Sequence, residues 1–303
     1  MLLIAGGEGL VRGAASLALR LHIPPMIVGL TVVSFGTSAP ELMVSLQAAL
    51  HGHPDMAVGN VVGSNLSNIG LILGFTALFF RMDVNRKDFR RDFLFLLLFT
   101  GLYYFLLLDG QTNFTDGLIL LIVLLVYLFV LLRSVRINRV KAREEKVEEQ
   151  IPDPLWRSLL FIVIGLVGLK YGADLLVNGS VSLAEMWGVS ERVISLSIVS
   201  VGTSLPELAA SIISAYRGQK EMALGNVIGS NIFNIGSVIG ICSLITPVAP
   251  ESSQILSVDY WWMIALTLAI PVLLWLPRQF HFVHWKGGLL LAGYIAYLFV
   301  IFG

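Results

Sequence analysis

An all-α membrane protein of ten transmembrane helices, arranged as two inverted-topology five-helix repeats with both termini extracytoplasmic, is the fold class this sequence predicts. Three observations predict it. The 303-residue chain is 56% hydrophobic and only 13% charged, with mean hydropathy +0.82, whereas a soluble domain carries about twice that charge fraction. Residues 31–70 and 197–236 are one forty-residue element written twice, at a constant offset of 166 and with 22 identical positions. Basic residues, finally, collect on one side of the apolar segments.

Apolar stretches of about 20 residues cross a bilayer as helices. They are expected at 2–18, 24–50, 56–80, 92–108, 115–133, 158–178, 190–216, 222–246, 258–276 and 285–302. Taking alternate connections, one side collects Arg20, Arg81, Arg86, Lys87, Arg90, Arg91, the seven basic residues from Arg133 to Arg157, Arg217, Lys220, Arg278 and Lys286. The other side has Arg192; Arg12 and Lys170 fall inside spans. Cytoplasmic loops are enriched in Lys and Arg, so the basic side is read as cytoplasmic. Five spans per half is an odd number, so the second half enters the membrane from the opposite face to the first. The organisation expected is a first repeat at 1–133, a charged cytoplasmic linker at 134–156, partly helical, and a second repeat at 157–303. The first span is shorter than its repeat partner, which places the expected start of translation upstream of Met1. No cleavable signal peptide is apparent.

Composition also excludes. The net charge is zero, which gives no case for nucleic acid as a partner, and no obligatory protein partner is indicated. The single cysteine, Cys242, rules out a disulfide framework and a thiolate metal cluster and reads as a small buried residue. Intramembrane hydrolysis lacks its motifs, since there is no GxGD, GxSG or HExxH. The expectation is therefore a protein that is not an enzyme and has no cofactor.

The duplicated element carries the chemistry. Its identities are mostly Gly, Ser, Thr, Asn, Pro and Glu inside segments otherwise fit for lipid, where a polar group without partners costs several kcal/mol. In the second span Ser34, Thr37, Ser38, Glu41 and Ser45 recur at spacings of three and four, which puts them largely on one helix face. Pro40 has no N–H to offer the Gly36 carbonyl, so a bend with freed carbonyls is expected at Gly36. Gly202, Thr203, Ser204, Pro206 and Glu207 repeat the arrangement in the seventh span. In the third span Asn60, Ser64 and Asn68 share a face, and Gly59 and Gly63 form a small-xxx-small pair for close helix approach. Asn226, Ser230, Asn234, Gly225 and Gly229 do the same in the eighth. Polar interrupted helices in corresponding positions of two transporter halves point to a site at the repeat interface. The donors are almost all oxygen, a set that suits hard cations such as Ca²⁺ and Na⁺ and suits Mg²⁺ less well. Intramembrane acids are functional by default, which singles out Glu41 and Glu207. Ser45 and Ser211 fit either a site role or a hydroxyl bonded to its own backbone. Glu8 and Asp174 read as structural charges paired with Arg12 and Lys170. His51 and His53 fall in an outer loop, and Trp261, Trp262, Trp275 and Trp285 read as interfacial anchors.

With GTSAPE and GTSLPE, and GNVVGSN and GNVIGSN, the chain resembles the calcium/cation antiporter superfamily in its prokaryotic sodium/calcium exchanger branch, whose α-repeats these motifs match. The resemblance covers the whole ten-span layout. It implies a secondary antiporter of the cytoplasmic membrane, exchanging Ca²⁺ for Na⁺ by alternating access, with spans one and six sliding across a rigid core. Carried over by position, Glu41 and Glu207 would be central Ca²⁺ ligands, joined by the carbonyls of Thr37 and Thr203. Flanking Na⁺ sites would use Ser38 and Ser230 with the Ser34 carbonyl, and Ser204 and Ser64 with the Ser200 carbonyl, while Asn68 and Asn234 line the middle. The proton-coupled branch usually has an acid where this chain has Gly63 and Gly229. Relatives often have Asp in place of Asn234, so this site holds two formal negative charges rather than three. A H⁺/Ca²⁺ or other divalent exchanger is the alternative, and a non-transporting cation sensor a more remote one.

Overall fold

The computed structural model describes residues 1–142, 152–186, 191–276 and 280–302. Its helices are α1 Leu2–Leu21, α2 Pro25–Thr37, α3 Ala39–Leu50, α4 Pro54–Phe79, α5 Arg86–Leu106, α6 Phe114–Ala142, α7 Leu155–Met186, α8 Leu196–Thr203, α9 Leu205–Tyr216, α10 Lys220–Ile245, α11 Ile255–Trp275 and α12 His284–Phe302. Among the described residues, seven helices are long and apolar enough to cross a membrane. The bent pairs α2–α3 and α8–α9 bring the number to nine. The protein is an all-helical membrane protein. The expected fourth span lies in α5, where Arg86, Lys87, Asp88, Arg90, Arg91 and Asp92 leave only the second two-thirds of the helix apolar. The expected sixth span begins earlier than read, at Leu155, and its helix runs on to Met186. Much of the linker lies outside the described residues.

The bends occur where the sequence carries Thr-Ser-x-Pro. Proline disrupts a helix interior but is tolerated in a first turn, where its missing N–H has no partner to lose. Pro40 and Pro206 accordingly sit in the first turns of α3 and α9. The breaks are at Ser38 (φ −82°, ψ 5°) and Ser204 (φ −84°, ψ 4°), two residues past the expected Gly36 and its repeat mate, and turn the chain by 40° and 49°. Each repeat also contains two wide π-helical turns at matching positions: Gly29–Val33 and Asn68–Leu73 in the first, Ser195–Val199 and Asn234–Ile239 in the second. Such turns are frequent at functional sites.

Packing is built on backbone contact. A Cβ at Gly63 of α4 would lie 2.8 Å from both the Leu196 carbonyl and the Ser200 side chain of α8, and one at Gly229 of α10 would lie 2.9 Å from the Leu30 carbonyl of α2. These are repeat-related contacts, so each straight helix of one half packs on the bent pair of the other. Asp55, at the start of α4, accepts the backbone N–H of Glu251 (2.7 Å) and Ser252 (3.1 Å), which follow the end of α10. The two repeat-related helices therefore run in opposite directions. Two short straps tie the connections together. Strand β1 (Met82–Asp83) pairs antiparallel with β2 (His281–Phe282), and Thr112 bridges Val248.

Helices α1 and α7 make a second unit. A Cβ at Gly165 would come within 2.4 Å of the Leu10 amide, and one at Gly13 within 2.5 Å of the Ser158 carbonyl, so the two backbones touch. Here the expected local ion pair is corrected. Glu8 pairs with Arg217, beyond the end of α9, and Arg12 with Asp153 (3.1 Å), because both partners come to α1 across the fold rather than along the helix. The side chains of Asp174 and Arg192 lie outside the described residues. Trp261, Trp275 and Trp285 are exposed on the surface, while Trp262 instead packs against Tyr297.

Candidate cation site

Two carboxylates lie at the centre of the bundle. Glu41 and Glu207 are both 0% exposed, each in the first turn of the helix that restarts after the bend. Each is held by the opposite repeat. Ser204 donates to Glu41 Oε1 at 3.2 Å, and Ser38 donates to Glu207 Oε1 at 3.1 Å. Ser230 adds a second donor to Glu207 Oε1 at 3.3 Å.

Asn60 and Asn226 fasten this centre. The Asn60 amide donates to the Glu41 carbonyl (3.3 Å) and to Ser45 Oγ (2.9 Å), while its Oδ1 accepts from Thr203 (3.1 Å). Asn226 repeats all three bonds with the Glu207 carbonyl (3.2 Å), Ser211 (3.0 Å) and Thr37 (3.3 Å). Every member of these triads is buried, and each triad spans both repeats. Ser45 and Ser211 thus accept from these asparagines, which anchors the straight helices to the restarted ones.

The remaining expected groups converge on the same place. Ser64 bonds the Ser200 carbonyl and Thr203 Oγ1, both at 3.4 Å. Ser34 Oγ donates to the Gly29 carbonyl (2.6 Å) and reaches the Asn226 carbonyl (3.0 Å). The Ser34 and Ser200 carbonyls accept from the amides of Ser38 (2.9 Å) and Ser204 (3.1 Å), and the hydroxyls of Thr37 (3.4 Å) and Thr203 (3.3 Å) also reach them. Asn68 and Asn234 lie at the starts of the matching π-helical turns, both fully buried. All twelve expected residues are therefore brought to the interface between the bent pairs and α4 and α10.

Four buried side-chain oxygens there have no hydrogen-bond partner: Glu41 Oε2, Glu207 Oε2, Asn68 Oδ1 and Asn234 Oδ1. A buried polar atom left unpaired costs about 1–3 kcal/mol, and more when charged, so four in one place call for an electropositive partner. Among the described residues no group of three or more His, Cys, Asp or Glu is placed to hold a metal. Neutral oxygens must supply the rest of any coordination shell, as hard cations accept.

Sequence reasoning missed Asn65 and Asn231. Both are buried, and they bond to Asn234 and Asn68 across the repeats. One residue past Ser64 and Ser230, they fall about 100° away from the stripe that singled out the others. The available signal was their identity in both copies of the duplicated element.

The chain matches the sodium/calcium exchanger protein family over residues 1–133 and 157–303. It is 35% identical to the inner membrane protein YrbG of Escherichia coli over 307 residues, covering all of this chain and 94% of that protein. It is 24% identical to the Ca²⁺/H⁺ antiporter ChaA of Bacillus subtilis, covering 93% of this chain and 85% of that one. The solved structure of the sodium–calcium exchanger NCX_Mj soaked with Na⁺ and Ca²⁺ superposes with a TM-score of 0.80 at 31% identity, covering 97% of this chain and 93% of that one.

Proposed function

The chain belongs to the sodium/calcium exchanger family, and on that premise we propose that it is an antiporter exchanging Ca²⁺ for Na⁺ across the cytoplasmic membrane by alternating access. The observation that carries this reading is the cluster of four partnerless oxygens on Glu41, Glu207, Asn68 and Asn234. Two ionised glutamates neutralise one Ca²⁺, which makes joint burial of ion and ligands tolerable. The carbonyls of Thr37 and Thr203 complete the Ca²⁺ shell. Na⁺ uses Ser38, Ser230 and the Ser34 carbonyl on one flank, and Ser64, Ser204 and the Ser200 carbonyl on the other. Ser38 and Ser230 donate to the same Glu207 oxygen, and a cation at their flank turns those hydroxyl protons away and draws on that carboxylate; on the other flank Ser204 stands in the same relation to Glu41. Sodium and calcium then compete for shared ligands, which is the basis of exchange.

The architecture we propose is ten spans, with α5 as the fourth, in repeats 1–133 and 157–303 joined by the linker 134–156. The basic loops face the cytoplasm. Opposite running of α4 and α10 supports inverted topology. The backbone-packed pair α1–α7 is the moving unit, and the hydrogen-bonded core strapped at Met82–Phe282 and Thr112–Val248 is the stationary one.

Proton coupling is the second reading, favoured by the likeness to a Ca²⁺/H⁺ antiporter. Against it, Gly63 and Gly229 have no room even for a Cβ, so an acid cannot stand where the proton-coupled branch usually carries one. The test is Ca²⁺ uptake into proteoliposomes under Na⁺, K⁺ or H⁺ gradients imposed singly. Uptake driven by Na⁺ alone, with choline in place of K⁺, is expected. Uptake driven only by protons would transfer the protein to the alternative, and no flux under any gradient would end the transport reading.

A further inference from the structure

We infer that Asn65 and Asn231 are positioning residues that decide which end of the Asn234 and Asn68 amides faces the ion, an inference resting on the cation-site reading above. An asparagine amide is nearly symmetric in shape but not in charge. One end is an acceptor oxygen and the other carries two N–H donors. Turned the wrong way, it would present positive hydrogens to a cation at no steric cost.

The direction is set by a chain of bonds with a fixed start. Asn65 Nδ2 lies 3.4 Å from the backbone carbonyl of Asn231. A backbone carbonyl only accepts, so that end of Asn65 is its nitrogen. The other end, Oδ1, then accepts from Asn234 Nδ2 at 3.1 Å. This commits the donor end of Asn234 to Asn65 and leaves Asn234 Oδ1, buried and without a partner, free for coordination. On the other side Asn231 Oδ1 accepts from Asn68 Nδ2 at 2.9 Å, and Asn68 Oδ1 is likewise partnerless. The two arms differ in one respect: Asn231 Nδ2 has no hydrogen-bond partner, so Asn231 lacks the carbonyl anchor that Asn65 has. The Asn234 amide is the more firmly set of the two.

Orientation of the amide and simple packing predict different outcomes at residue 234. An aspartate at 234 presents oxygen at both ends, so it has no wrong orientation. If Asn65 acts by orienting Asn234, its loss matters only while residue 234 is an amide. A double-mutant cycle of Asn65→Leu and Asn234→Asp, read as the apparent KM for Ca²⁺ and the maximal rate in proteoliposomes with equal amounts of folded protein, separates the two. Losing an orienting partner of a metal ligand typically costs about 10–100-fold. Asn65→Leu is expected to raise KM about tenfold or more in the parent and less than about threefold in the Asn234→Asp background. An equal loss in both backgrounds, or no loss in the parent, overturns the inference. If Asn65→Leu does not fold, Asn65→Ala in the same cycle decides by the same criteria. Glu41→Gln run alongside keeps the two readings apart. An active Glu41→Gln sinks the cation site itself, whereas an inactive Glu41→Gln beside a parent-like Asn65→Leu sinks only the orienting role.

Discussion

Replacing Glu41 by Gln is the most direct trial of the central assignment, because it changes charge with almost no change of shape. Glu41 is 0% exposed, its Oε1 accepts from Ser204, and its Oε2 has no protein partner. Glutamine can keep the Ser204 bond through its own carbonyl oxygen, so the fold should survive. The cation, however, would face one carboxylate instead of two and carry a net positive charge in a water-poor interior. Removing one partner of a buried charge pair costs about 3–5 kcal/mol. At about 1.4 kcal/mol per decade, Ca²⁺ affinity should fall by about two to three and a half orders of magnitude. Glu207→Gln should lose as much or more, since it also disturbs the acceptor shared by Ser38 and Ser230. The assay is Na⁺-driven Ca²⁺ uptake in proteoliposomes, with the eluted protein checked for a monodisperse profile and an unchanged melting temperature. A folded Glu41→Gln protein with a Ca²⁺ KM within threefold of the parent's would refute the reasoning.

Three further outcomes are expected. Protons and Ca²⁺ compete for the same carboxylate oxygens, so transport should decline as pH falls, and tenfold more Ca²⁺ should move the midpoint to lower pH; a midpoint indifferent to Ca²⁺ would place the titrating group elsewhere. Gly229→Ala puts a methyl within 2.9 Å of the Leu30 backbone and should destabilise by about 1–3 kcal/mol, whereas Gly101→Ala, with nothing within 4 Å of its Cβ, should be neutral or stabilising by up to about 1 kcal/mol; thermal melts in detergent compare them. A cysteine at exposed Asp109 should be labelled by an impermeant maleimide from outside the cell and one at exposed Lys87 only after permeabilisation, against a low background because Cys242 is buried; the reverse pattern would invert the orientation.

The sequence by itself determined the class of the protein and singled out most residues of the candidate site. Two buried acids in duplicated, proline-broken apolar helices have few other physical explanations, and the hydroxyls and amides around them are identified by recurring at one offset. Composition and residue spacing are local properties, and they are legible without coordinates. The pairing was not. Ser38 meets Glu207 and Asn60 meets Thr203 across separations of 169 and 143 residues, and nothing in either segment alone specifies the partner. Glu8 and Arg12 stand four apart, a spacing that favours a pair along one helix, yet each is paired elsewhere because folding brings Arg217 and Asp153 alongside α1. The matching π-helical turns were also invisible, since segments of five or six residues are too short for residue spacing to reveal one extra residue in a turn. The roles of Asn65 and Asn231 required the tertiary structure as well. An amide acquires a direction only from the groups packed against it, and here the fixed reference is a carbonyl from the other repeat.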